Sequence, residues 1–103
     1  MARKFIDNYK EFGAKSNESV RSHVSDAPIP EKERILRYLK SFPNYGTRCS
    51  TLYDYVEDVL YSPTVFSHYD GTYYWDDEEV YHFEKYNIKL EESFIQWVLQ
   101  KGA

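Results

Sequence analysis

Residues 64–76 read TVFSHYDGTYYWD, and this stretch decides the architecture. Aromatic and β-branched side chains flank an Asp70-Gly71 pair on both sides. Asp-Gly tolerates the positive φ angles of a type I′ turn, so the stretch predicts an antiparallel β-hairpin. Two strands alone are marginal in water, and a helix or a third strand must cover one face.

Downstream, Asp76 and Glu79 stand in capping-box spacing, and the acids Asp76, Asp77, Glu78 and Glu79 suit the positive end of a helix dipole. Val80 and Phe83 face inward, Tyr86 lies near the end, and Asn87 stops the helix. A last helix over 91–100 buries Leu90, Phe94, Ile95, Val98 and Leu99, and Gly102 ends it.

Upstream, Ile35, Leu36, Leu39 and Phe42 form the apolar stripe of a helix over 30–42, with Pro30 in its first turn and Pro43 as a stop. Residues 49–61 satisfy two templates. Leu52, Tyr55, Val56, Val59 and Leu60 recur at helical spacing behind a Ser50 cap, which favours a helix. Thr51, Tyr53, Tyr55 and Val56 are strand formers that could instead pair with the hairpin. Phe5, Ile6, Tyr9 and Phe12 predict a short N-terminal helix over 3–12, ended by Gly13. Residues 14–29 are polar and read as a mobile linker. The expectation is one α+β domain over 1–103, with about four helices and a central antiparallel hairpin or three-stranded sheet.

Composition narrows the function. No run approaches the roughly 20 apolar residues of a membrane span, and MARKFIDNYK lacks the apolar core of an export signal, so a cytoplasmic protein without membrane contact is expected. Cys49 is the one cysteine, and His23, His68 and His82 have no partner at metal-ligand spacing. No nucleophile elbow or phosphate-cradling glycine loop occurs. These absences argue against an enzyme, a metal or a cofactor.

Charge is asymmetric. Residues 1–48 carry ten Lys and Arg against six acids, and residues 49–103 carry three against eleven, giving −8. A helix-turn-helix built from 30–42 and 50–61, offering Arg34, Arg37, Lys40 and Arg48, is the alternative reading. Its second helix would hold Asp54, Glu57 and Asp58 and no cation, which phosphates would oppose. An acidic half with eleven tyrosines in the chain fits a protein partner of opposite charge better. The expected contact residues are Tyr53, Asp54, Glu57, Asp58, Tyr73, Trp75, Asp76, Asp77 and Glu78. Exposed tyrosines could equally serve a homodimer, so monomer and homodimer both stay open.

Residues 70–99, DGTYYWDDEEVYHFEKYNIKLEESFIQWVL, resemble the C-terminal part of small bacterial proteins of the immunity type. The shared features are the Asp-Gly turn, an aromatic strand ending in Trp75 and an acidic helix start. An aromatic-Glu-Lys-Tyr stretch follows, then Leu90 and an acidic pair ahead of Phe94 and Ile95. Where a proline often follows that leucine, this chain has Glu91. The resemblance covers under a third of the chain and brings no catalytic residue. It implies a small cytoplasmic protein that neutralises a toxin by covering it, the toxin often being a nuclease with a basic cleft.

Overall fold

The computed structural model describes residues 4–12, 14, 16–42, 44–48, 52–62 and 65–101. Among them are six strands: β1 (Lys4–Phe5), β2 (Asn44–Arg48), β3 (Leu52–Asp54), β4 (Val59–Ser62), β5 (Val65–Tyr69) and β6 (Tyr73–Asp76). Three α-helices accompany them: α1 (Lys32–Ser41), α2 (Asp77–Tyr86) and α3 (Glu92–Gln100). The class is α+β, with three α-helices among the described residues where about four were expected.

The expected hairpin is β5–β6, paired at Ser67 with Asp76, His68 with Trp75 and Tyr69 with Tyr74. Its turn is shifted by one residue from the expectation. The Asp70 amide bonds the Tyr73 carbonyl at 3.1 Å, so Gly71 and Thr72 are the central pair. Gly71 alone takes a positive φ, 101°, as a type II′ turn requires at its first central position. Asp70 Oδ1 accepts from the Thr72 and Tyr73 amides and locks that corner. β2 adds antiparallel to β5 and β1 adds parallel to β6, giving the strand order β1-β6-β5-β2.

Tyr73 and Trp75 project from β6 into the core. Trp75 is fully buried, its ring against Tyr38, Phe42 and Phe94 and its indole N–H on the Leu39 carbonyl. α1 contributes Ile35, Leu36, Tyr38 and Leu39, α2 contributes Val80, Phe83 and Tyr86, and α3 contributes Phe94 and Val98. Ile95 and Leu99, expected inside, are only half-buried. α2 starts as its sequence predicts, with Asp76 and Glu79 forming both bonds of the capping box, and Asn87 closes it in the left-handed conformation.

Two expected helices are absent from the described residues. The N-terminal stretch is β1 followed by a single 3-10 turn, Lys10–Phe12. Extended backbone lets Phe5 and Lys4 pair with Tyr74 and Tyr73 while Ile6 and Tyr9 reach the core. Residues 52–62 form the hairpin β3–β4, so the second helix of the helix-turn-helix reading is not there. Within the expected linker, a 3-10 turn over Val20–His23 buries Val20 completely. The expected stops at Gly13, Pro43 and Gly102, the Ser50 cap and Cys49 lie outside the described residues.

Candidate partner-binding surface

The hairpin β3–β4 stands on α2 through bonds that α2 side chains make to its backbone. Glu78 Oε2 accepts from the Tyr53 amide at 2.8 Å, and His82 Nε2 accepts from the Tyr55 amide at 3.0 Å. Because His82 Nδ1 faces the Glu78 carbonyl at 2.7 Å, the ring must carry its proton on Nδ1 and be neutral. Burial favours the same state and lowers its pKa.

Asp54 is the hub of the hairpin. Its Oδ1 accepts from the Val56 and Glu57 amides, and its Oδ2 accepts from the hydroxyls of Tyr81 and Tyr86. Lys85 Nζ lies 3.6 Å from the same oxygen. Burial alone would raise the Asp54 pKa, but these hydrogen bonds outweigh it and hold the carboxyl well below its ordinary range. In return, burial and the Asp54 bond push Tyr86 up to about 12. From the other side, Arg21 reaches the Tyr55 carbonyl and Asp58 Oδ1, clamping the turn in which Asp58 takes a φ of 56°.

What this scaffold displays is apolar. Val59, Leu60 and Tyr61 are 51%, 57% and 66% exposed, three consecutive residues on the free strand of a two-stranded sheet. A bulge interrupts the ladder at the last of them. Leu52 pairs with Ser62 and Tyr53 with Leu60, leaving Tyr61 as the extra residue. The Tyr61 ring lies against Tyr81 at 4.9 Å, which extends the patch onto α2.

The expected contact residues divide sharply. Glu57 and Asp58 are exposed in the hairpin turn, and Tyr53 is half-buried beside them with its ring against Tyr55. Asp77 is partly exposed but committed to His68 Nε2 at 2.7 Å. Asp54, Tyr73, Trp75, Asp76 and Glu78 are at most 4% exposed and cannot reach a partner in this conformation. Each is buried for a structural reason: Tyr73 and Trp75 as core, Asp76 as the α2 cap, Asp54 and Glu78 as acceptors for backbone amides. With Glu79, also buried, four of the eleven acids of residues 49–103 have turned inward, so the charge asymmetry of the sequence overstates the acidity of the surface. In the sequence Val59 and Leu60 fall on the helical stripe of residues 49–61, which conceals an exposed strand. The Ser62-Pro63 pair directly after them, which a helix would avoid, was the available signal.

No family model, curated protein or solved structure matches this chain. Among the described residues no three His, Cys, Asp or Glu side chains gather into a metal-holding group, and no helix is long and apolar enough to cross a membrane.

Proposed function

We propose that this chain is a small protein-binding protein of the immunity kind, which neutralises a cognate toxin by covering it, and that the β3–β4 hairpin is its docking surface. The observation that carries the reading is the exposed run Val59-Leu60-Tyr61, held on a hydrogen-bonded scaffold. Rigid apolar and aromatic side chains on a pre-organised support are the usual anchors of an interface. Glu57, exposed at the head of the strand beside the Arg21–Asp58 pair, favours a partner with a basic group next to an apolar centre. The resemblance of residues 70–99 to immunity-type proteins supports the toxin as that partner. The hairpin removes the helix on which a nucleic-acid reading depended.

The test is co-expression with the product of the adjacent gene. The reading expects a stable complex and rescue of growth from a toxic neighbour. Leu60→Asp should weaken the complex about 30-fold, a typical interface anchor. Because Leu60 is exposed, it should change folding stability by no more than about 0.5 kcal/mol. A harmless neighbour that does not bind, or a complex indifferent to Leu60→Asp, overturns the proposal.

A further inference from the structure

A second concave surface lies on elements that the hairpin reading does not use. Pro28 and Ile29 face Ile95 and Leu99 of α3 across a groove of about 500 Å³. The groove follows from how the sequence folds locally. Phe94 and Val98 turn into the core, which leaves Ile95 and Leu99 at its margin. Pro28 and Pro30 hold the facing wall extended, because the residue before a proline is kept out of the helical region. The chain then swings into α1 through Glu31, whose φ is 63°. The result is an apolar trough of a size that takes one or two side chains.

Past His23, Lys89 and Glu92, which border both, the trough runs into a second depression of about 260 Å³. That depression is rimmed by Glu18, Glu91 and Glu92. Glu18 is committed to His23 at 3.0 Å, and at the trough's own rim Glu31 pairs with Arg34 at 2.8 Å. Glu92 accepts a hydrogen bond from the neutral Gln96 amide at 3.0 Å. Lys89 is the one cation set against Glu91 and Glu92 among the lining residues of the two depressions. The rim is therefore net acidic beside an apolar floor.

We infer that this groove docks a partner segment presenting an apolar side chain next to a lysine or arginine. The apolar side chain fills the space between Ile29, Ile95 and Leu99, and the cation lies along Glu91 and Glu92. Such a site reads two features at once, so neither a purely apolar nor an acidic segment satisfies it. It goes beyond the hairpin reading and stands without it, since it shares none of Val59, Leu60 or Tyr61.

The test uses the full chain, labelled with ¹⁵N, and three capped tripeptides: Leu-Lys-Leu, Leu-Glu-Leu and Ser-Lys-Ser. Leu-Lys-Leu is expected to shift the amides of Ile29, Glu92, Ile95 and Leu99 with a dissociation constant of about a few millimolar. The other two peptides should bind at least about tenfold more weakly. The double variant Glu91→Gln, Glu92→Gln changes only exposed side chains and should also lose about tenfold for Leu-Lys-Leu. Leu60→Asp should leave this titration unchanged while weakening docking at the hairpin, so the two ideas fail separately. Equal binding of Leu-Glu-Leu, shifts centred elsewhere, or no shift at about 10 mM peptide overturns the inference.

Discussion

Glu79→Gln should change how the stability of this protein depends on pH. Glu79 and Asp7 are 3% and 5% exposed. Glu79 Oε1 accepts from the Asp76 amide, while Glu79 Oε2 and Asp7 Oδ2 find no donor at all. Two buried carboxyl oxygens without donors are tolerable only if they share a proton, one acting as O–H and the other as acceptor. Burial raises both pKa values, that of Glu79 well above its ordinary 4.5; the charge and hydrogen bond of Asp7 push Glu79 further against ionisation, whereas the hydrogen bond from Glu79 works the other way on Asp7. The neighbours Asp76 and Glu91 are acids too and act in the same direction. Tyr9 is adjacent, but its hydroxyl is committed to the Lys89 carbonyl.

The folded chain therefore binds about one proton more than the unfolded chain over a window that opens near the ordinary carboxylate value and closes at the raised one. Stability is then fully present below that window and falls as pH rises through it, by about 1.4 kcal/mol per pH unit. For a chain of this size that is a drop in Tm of about 6–11 °C per unit. In Glu79→Gln the amide can accept from Asp76 and donate to Asp7 permanently, so the fall should vanish and the variant should overtake the parent as pH rises. Urea unfolding between pH 5 and pH 9, compared between parent and variant so that histidine titration cancels, measures this. A parent whose stability is flat over that range, or a variant with the same slope, refutes the shared proton.

Asp54→Ala removes the acceptor of two backbone amides and two tyrosine hydroxyls and should cost roughly 3 kcal/mol, read as a shift in the urea midpoint. A loss below about 0.5 kcal/mol would mean that the hub is dispensable. His82, held neutral by burial, should make the protein less stable as pH falls from 6.5 towards its lowered folded pKa. Long-range ¹H–¹⁵N spectra at pH 7 should show its proton on Nδ1, and a proton on Nε2 would contradict the bond from the Tyr55 amide.

The elements legible in the sequence are those whose signals are local. The capping box of α2 and the α1 stripe each sit within a few residues, and the chain folds them as read. Residues 52–62 fit both templates and take the strand one, although Leu52, Tyr55, Val56, Val59 and Leu60 keep helical spacing. The deciding partners, Glu78 and His82, come from a helix more than twenty residues away. The same distance effect hid the fate of the acids. A run of four, Asp76 to Glu79, reads as a solvated face, yet three of them are buried acceptors and only Asp77 keeps part of its surface. What marks the candidate surface is geometry that a sequence does not display: three consecutive exposed residues in β4, with a bulge at the last.

The parallel pairing of β1 with β6 has a consequence for the order of events during synthesis. Lys4 and Phe5 are made well ahead of their partners, because Tyr73 and Tyr74 emerge some seventy residues later. The Ile6 carbonyl and the Tyr9 hydroxyl wait longer still, for Glu91 and Lys89. Closing so long a loop is entropically slow, and until it closes Ile6 and Tyr9 have no core to enter. Ile6 and Tyr9 therefore stay in solvent until the chain has been made as far as α3, and it is the arrival of that helix that brings β1 home.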